Sequence, residues 1–428
     1  MPPSKQAIET PWKNQLTALQ AQDTVLSTLG SDLATLTTSL QALTDFTGVF
    51  SEKQGSSSNT DLLMLTSATA TASAGSHTIV VNSLAQTSSE GSSVVTDPND
   101  TLSGSLTIQN HIFNVDSADN DTTLASLASA INSAGIGVKA NVITDSTGSR
   151  LSLVSGTSGV AGQLSVTASL SGASAGAITF SSNGQDGKDA SLTVDGVAIT
   201  TSSNTVSNAI PGVTFQLLGS SPATQIHVEI TNNNTDIETA VGKFVAAYNA
   251  VINDINGQEK NDSSGNAEPL FGNPTLALIQ SQITGALFTG AASGTIKDIT
   301  QLGIGLNNDG TLTLNADTLD SALNSNFSDV TGFLQNSGSF GQTLASSLNN
   351  LGTQAPFGAV FLAQQQNTAQ EAALNTSISN EDTLLAAQKV QLTNELNMAN
   401  QILQSIPAQL NQVNELYSAI TGFNERSQ

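Results

Sequence analysis

The chain has 428 residues, of which 38% are hydrophobic and only 11% are charged, and its formal net charge is −23. That length allows two to four domains, and the composition is typical of a folded rather than a disordered protein. The nine lysines and two arginines are scattered along the sequence, so they form no basic stripe that could bind nucleic acid or an anionic membrane.

The absence of cysteine excludes a disulfide framework, a cysteine nucleophile and any cysteine-ligated metal. The first residues, Met1 to Lys5, lack the apolar core of a secretory signal, and no apolar run approaches the roughly 20 residues that span a bilayer. We therefore expect a soluble protein that inserts into no membrane and whose export would need a route without a cleaved signal.

The first predicted element is a long helix with one narrow apolar seam. Apolar residues recur every seven positions in two series three residues apart. These series are Trp12, Leu19, Leu26, Leu33 and Leu40, and Leu29, Leu36 and Leu43. Because such a seam cannot be buried alone, we predict that residues 1–65 form an N-terminal stalk helix that packs on another helix.

The middle of the chain has the pattern of β-strands. Between about residues 66 and 235, Ser, Thr and Gly alternate with Val, Ile and Leu, and one helix with apolar residues at Leu124, Leu127 and Ile131 interrupts them. A weak repeat relates residues 104–115 to residues 190–200. We predict two β-rich head domains, one of residues 66–90 and 176–235 and a second, residues 91–175, inserted into it.

Helical spacing returns from residue 237 to residue 255 and continues to the end of the chain, with a short predicted hairpin at residues 302–314. We assign residues 236–428 to a C-terminal stalk region. Its last part carries two further heptad series, in which Pro407 should kink or split the helix. These are Ile378, Leu385, Leu392, Ala399, Ile406, Val413 and Ile420, and Leu374, Leu396, Leu403, Leu410 and Tyr417.

Matching seams at the two ends predict the overall architecture. We expect an α+β multidomain protein in which the N- and C-terminal segments form a helical coiled-coil or bundle stalk, with two inserted β-rich head domains. The residues predicted to pack in the stalk are Leu19, Leu26, Leu29, Leu33, Leu36 and Leu40 from the first helix and Leu385, Leu392, Leu396, Leu403, Leu410 and Val413 from the last.

The sequence offers no catalytic, cofactor or metal site. His77, His111 and His227 lie in separate strand patterns, and the loop at residues 290–297 lacks the Gly-Lys-Ser/Thr ending of a phosphate-binding loop. Asp195 and Asp309 each precede glycine and are interpreted as turn residues. The acids Asp116, Asp119 and Asp121 lack the glycine and distal glutamate of a calcium loop, so we interpret them as solvated turn acids.

Several blocks, in order, resemble the flagellar hook-associated protein 2 family, the filament cap. Residues 123–138 resemble the IN motif of flagellar hook and filament proteins, and the most family-specific stretch is residues 185–215. The other similar blocks are residues 148–153, residues 244–249 and residues 302–312. The resemblance covers most of the chain from about residue 15 onward.

The resemblance implies a non-enzymatic protein without a cofactor, secreted to the distal tip of the flagellar filament. Its subunits would form a ring with β-rich heads as a plate and helical legs below, promoting folding and insertion of exported flagellin. Expected partners are further copies of the chain, flagellin and a cytoplasmic export chaperone. Because ring subunits must contact each other, Phe244, Tyr248 and Val251 are candidate subunit-interface residues.

Two alternatives remain at this stage. Another axial flagellar protein, such as a flagellin or a hook-filament junction subunit, would share terminal coiled coils and low charge. A surface adhesin would share the Ser/Thr-rich β modules and would bind its target through residues 66–235.

Overall fold

The computed structural model describes residues 5–116 and 122–422, without the side chains of residues 5–8 and 181–183. The chain divides into two compact units. The helical unit comprises Met1–Asp45 and Glu238–Gln428, and the β unit comprises Phe46–Ile237. The predicted α+β class, with helical ends and a β-rich middle, is confirmed.

Seven α-helices lie in the described ranges, and none of them is both long enough and apolar enough to cross a membrane. Two short 3-10 helices, Val160–Gly162 and Ile299–Leu302, accompany them. The α-helices are α1 (Lys5–Thr44), α2 (Leu124–Ala134), α3 (Asn234–Gln258), α4 (Pro274–Ala286), α5 (Ala316–Gln335), α6 (Phe340–Asn349) and α7 (Ala359–Thr421).

The strands of the β unit are β1 (Lys53–Ser57), β2 (Leu63–Ala68), β3 (Gly75–Ser83), β4 (Thr87–Ser92), β5 (Leu102–Ile108), β6 (His111–Val115), β7 (Val138–Asp145), β8 (Gly148–Ser158), β9 (Val166–Gly172), β10 (Gly176–Ile178), β11 (Phe180–Gln185), β12 (Ala190–Val194), β13 (Val197–Thr201), β14 (Thr205–Ile210), β15 (Val213–Leu217) and β16 (Ile226–Asn232). Several of them, such as β8, β12, β15 and β16, alternate buried residues with more exposed ones, as half-buried antiparallel sheets require. The helical unit adds one hairpin, β17 (Ile304–Leu306) and β18 (Leu312–Leu314).

Two separate hydrophobic cores organise the β unit. A five-stranded sheet of order β1-β16-β3-β12-β13 and a three-stranded sheet of order β14-β15-β2 enclose the first core, which includes Leu63, Ile79 and Phe215. The second core, which includes Leu106 and Leu153, lies among α2 and two four-stranded sheets of orders β10-β9-β5-β6 and β11-β4-β8-β7. In the chain, all of the second set lies between β3 and β12.

The observed boundaries differ from the predicted ones in two places. The first helix ends at Thr44 and strands begin at Lys53, so residues 53–65 are not part of a stalk helix. The Lys-Gln-Gly-Ser-Ser sequence of β1, which lies at a sheet edge, has no apolar alternation. The inserted module extends beyond residues 91–175, because both β4 and β11 pair within its sheets.

Helix α2 has a local sequence reason for each end. The hydroxyl of Thr123 accepts a hydrogen bond from the amide of Ser126, and the side chain of Ser126 accepts one from the amide of Thr123. Gly135 ends the helix with a left-handed φ of 63°. The predicted apolar face is confirmed, since Leu124, Leu127 and Ile131 are all buried.

One recurring device joins separate elements, which we call the amide bridge. An asparagine side chain donates to the carbonyl of one distant residue and accepts from the amide of that same residue, as a neighbouring strand would. At Asn249 the two bonds with Leu312 measure 2.8 and 2.6 Å. The three amide bridges described are Asn132 with Ala140, Asn204 with Ala85, and Asn249 with Leu312.

We predict that Asn249→Asp destabilises the helical unit by about 1–3 kcal/mol. Aspartate keeps the acceptor but loses the donor, which leaves a negative charge beside the carbonyl of Leu312. Thermal unfolding followed by circular dichroism measures the change. The control Asn375→Asp adds the same charge at an exposed position on α7, and an equal loss in both variants would contradict the assigned role.

Two carboxyl groups meet between α1 and α3. Desolvation, a hydrogen bond with Asp32 and the like charge of that group raise the pKa of Asp254 to about 6. The folded state therefore holds this proton more tightly than the unfolded state. Its contribution to the free energy of unfolding is fully present below about pH 4 and is lost as the pH rises through 6.

We predict that Asp254→Asn reduces the fall in melting temperature between pH 4.5 and pH 7.5, because the variant has no proton to lose at this position. At pH 7.5 the variant should melt above the wild type. Differential scanning calorimetry across this range tests the prediction. Asp32→Asn removes the other member of the pair and should act in the same direction, whereas curves parallel to the wild type would refute it.

Candidate assembly surface

Helix α7 begins as an antiparallel partner of α1. A Cβ built on Gly30 would lie 3.5 Å from Cγ1 of Val360, so the Val360 side chain packs against the α1 backbone there. Seven residues away on both helices, Asn367 donates a hydrogen bond of 2.8 Å to the carboxylate of Asp23. These two contacts fix the register in which the helices run past each other.

The seam of α1 is buried. The six named leucines of this helix are each at most 6% exposed. Burial also extends to the C-terminal end of α1, where Gln335 of α5 donates to the carbonyls of Leu43 and Asp45. That bond satisfies carbonyls that a helix end leaves without an intrahelical partner.

Helix α1 covers only the first part of α7. In the register set by Asp23 and Asn367, Lys5 comes level with about residue 385, and Leu385 is half-buried. Beyond this point α7 continues to Thr421 as a helix that is exposed on nearly all sides. Within residues 5–116 and 122–422, nothing covers the last 36 residues of α7.

An apolar seam runs along this uncovered part, and we call it the distal stripe. The predicted packing of its residues on the N-terminal helix is wrong within the chain, because α1 does not reach them. Leu392, Leu396, Leu403, Leu410 and Val413 are 55–66% exposed. The distal stripe consists of Leu392, Leu396, Ala399, Leu403, Ile406, Leu410, Val413, Tyr417 and Ile420.

Of the two effects predicted for Pro407, a kink or a split of the last helix, the split does not occur. Helix α7 is continuous from Ala359 to Thr421 with Pro407 inside it. Proline lacks the donor that would bond to the carbonyl of Leu403. Because both residues are exposed, that carbonyl can be solvated, and the apolar seam keeps its spacing on both sides of the proline.

The flanks of the distal stripe are amides rather than charges. Between residues 386 and 422 the charged residues are Lys389, Glu395 and Glu415. The stripe itself extends about 40 Å from Leu392 to Ile420 at the helical rise of about 1.5 Å per residue. A continuous exposed apolar surface of this length marks an interaction site.

The candidate subunit-interface residues are not on the surface. Phe244, Tyr248 and Val251 are at most 1% exposed, so the premise that they face another subunit is wrong. The apolar face of helix α3 is part of the core. Periodicity identified that face, but it does not distinguish a face covered by the same chain from one covered by a partner.

Other apolar side chains of the helical unit are exposed instead. Phe271, Leu278 and Phe288, on or beside α4, are between 45% and 60% exposed. The sequence analysis missed these residues because the apolar period of α4 identifies only its buried face. The available signal was that Leu278 lies off the apolar period of that helix, which contains Leu276, Ile279 and Ile283.

Asp195 and Asp309, which were interpreted as turn residues, each interact with a neighbouring side chain. Asp195 has φ of 51° at the turn between β12 and β13, and its carboxylate lies 2.7 Å from Nδ1 of His77. Hydrogen bonds from the hydroxyl and amide of Thr311 hold the pKa of Asp309 below its usual range. Both carboxylates stabilise local structure.

The geometry of the remaining polar candidates does not assemble a chemical centre. Within residues 5–116 and 122–422, no three His, Asp or Glu side chains converge as metal ligands would. Asp119 and Asp121 lie outside the described residues. The loop at residues 290–297 is held by the carboxylate of Asp329, which accepts from the amide and hydroxyl of Thr295 and would repel a phosphate.

Comparison with protein families identifies three segments of the chain. Residues 187–419 match the family described as flagellar hook-associated protein 2 C-terminus, and residues 3–88 match flagellar hook-associated protein 2 N-terminus. Residues 101–157 match the flagellin hook IN motif. The C-terminal match alone covers more than half of the chain.

Individual relatives agree with these assignments. The B-type flagellar hook-associated protein 2 of Pseudomonas aeruginosa is 30% identical, over 90% of this chain and 88% of that protein. Flagellar hook-associated protein 2 of Escherichia coli K12 is 30% identical, over 76% of this chain and 75% of that protein.

A solved structure shares the fold over most of the chain. The crystal structure of the D1-D2-D3 domains of the flagellar cap protein FliD from Escherichia coli is similar with a TM-score of 0.57 and 28% identity. The similarity covers 80% of this chain and 99% of that one. Together with the family matches, these similarities show that the chain belongs to the flagellar hook-associated protein 2 family.

Proposed function

We propose that this chain caps the distal end of a bacterial flagellar filament as a structural protein. Family membership supports this role over that of a flagellin, a junction subunit or an adhesin, since the N- and C-terminal matches are both to hook-associated protein 2. The single observation that carries the proposal is the distal stripe, a rod with a long apolar seam that needs a partner to cover it.

The occupant of the stripe in our proposal is a helix of a neighbouring copy. In the heptad of the stripe, Leu396, Leu403 and Leu410 occupy a positions, and the branched residues Ile406 and Val413 occupy d positions. Leucine at a with isoleucine-like residues at d favours assemblies of more than two helices. A closed ring of more than two copies agrees with that preference.

The proposed partners beyond the chain itself are flagellin and an export chaperone. We propose that the protein is secreted to the filament tip, where the assembled ring promotes folding and insertion of exported flagellin. The energy would come from folding and docking of flagellin, so the mechanism needs no nucleotide.

We predict that deletion of the gene abolishes swimming and releases monomeric flagellin into the medium. Motility plates and immunoblots of the culture supernatant measure both effects, and expression of the wild-type chain in trans should restore them. Normal motility with intact filaments in the deletion strain would refute a capping function.

A second prediction tests the distal stripe directly. Leu403→Lys with Leu410→Lys should abolish higher-order assembly without lowering the melting temperature, because both side chains are exposed in the single chain. Sedimentation velocity and negative-stain electron microscopy measure assembly. The matched control Gln404→Lys with Asn411→Lys adds the same charge one residue away, off the seam, and should assemble normally.

Equal assembly in both double variants would show that the distal stripe is not the contact. Loss of assembly in both would show that charge, rather than the apolar seam, controls the association.

A further inference from the structure

We infer that the outer edge of β7 is a docking groove for an extended, uncharged segment of another polypeptide, which adds to the sheet as one further strand. The site lies in the β unit, between this edge strand and α2. It is separate from the distal stripe and from any surface that the family comparison assigns.

On its outer side, β7 has backbone N–H and C=O groups with no neighbouring strand to pair with among the described residues. Strand β7 ends its four-stranded sheet and pairs only with β8 in the described residues. In an antiparallel pair, alternate residues direct both backbone groups to the partner strand and those between direct them outward. Asn132 bonds both groups of Ala140, so Ala140 belongs to the outward set.

The same alternation assigns Val142 and Thr144 to the outward set. Their amides and carbonyls point away from β8, while those of Asn141 and Ile143 bond to it. The edge therefore offers donor and acceptor pairs two residues apart, which is the repeat of an extended backbone. Such rows recruit an added strand unless a protein blocks them.

Asn132 limits the length of the open edge. Its amide bridge occupies the backbone groups of Ala140 and substitutes for a neighbouring strand at this one residue. A bound segment would begin beyond Ala140 and run along Val142 and Thr144. The IN motif thus closes one end of the edge and leaves the other end open.

A shallow groove lies beside the Ala140 to Val142 end of this edge. Its volume is about 490 Å³, and short or amide side chains form its walls, none of them charged. The lining residues are Ala125, Ala128, Ser129, Asn132 and Ser133 of α2, and Ala140, Asn141 and Val142 of β7.

The chemistry of the groove identifies the occupant. Outward backbone pairs select an extended main chain, and small uncharged walls select small uncharged side chains. Helix α2 forms one wall of the groove. A folded second copy would have to bring its own α2 into the same space to pair its β7 edge. We therefore assign the groove to a segment that has not yet formed its own sheet.

Hydrogen exchange of the full chain tests the open edge. In the free protein the amides of Val142 and Thr144 should exchange at least tenfold faster than those of Asn141 and Ile143. Addition of a peptide of ten alternating threonine and alanine residues should slow Val142 and Thr144 selectively. Equal protection of all four amides in the free protein would overturn the proposal.

Binding of the same peptide, labelled with fluorescein, is measured by anisotropy. Val142→Pro removes an outward donor, which edge strands tolerate, and Ala125→Arg fills the groove from an exposed position; each should weaken binding at least tenfold. Ala134→Arg places the same side chain on α2 outside the groove and should leave binding unchanged. A peptide N-methylated at alternate residues cannot pair and should not bind.

Asn132→Ala frees the backbone of Ala140 and should strengthen peptide binding severalfold. Binding that is absent from the wild type, or equal in the wild type and Val142→Pro, would overturn the proposal. A concentration-dependent dimer of the wild type that Val142→Pro abolishes would instead assign the edge to a second copy and would overturn the proposed occupant.

Discussion

The antiparallel contact between α1 and α7 is the constraint on which the rest of the helical unit depends. Close approach at Gly30 and the bond between Asp23 and Asn367 fix its register. This register buries the α1 leucines completely and also determines where cover stops. The same packing therefore stabilises one end of α7 and exposes the other, and the proposed assembly surface is a direct result of the register.

The amide bridges relate the family blocks to a physical role. Asn132, Asn204 and Asn249 each lie in a block that resembles the family, and each bonds the backbone of one residue in another element or loop. An asparagine amide is the smallest side chain that offers a donor and an acceptor side by side, as a strand does. The blocks thus preserve joints between elements rather than a chemical centre.

The sequence predicted the helices and strands more accurately than it predicted what covers each of their faces. Heptads at both ends and alternation between them correctly gave helices and strands, because side-chain period follows backbone geometry. Burial depends on what covers a face, so Phe244 and Leu403 were misassigned in opposite directions. The strand β1 was missed because it carries no apolar alternation, and the effect of Pro407 was overestimated because solvent can satisfy the carbonyl that it leaves unpaired.

Helix α7 is held by α1 along its first part only, so it resembles a rod fixed at one end. Because α1 covers only the first part of α7, we expect Leu392 to move little relative to the α1 leucines and Ile420 to move through a larger volume. A partner that binds near Ile420 loses more orientational entropy than a partner that binds near Leu392. We therefore expect a partner helix to bind first near Leu392 and then progressively along α7 toward Ile420.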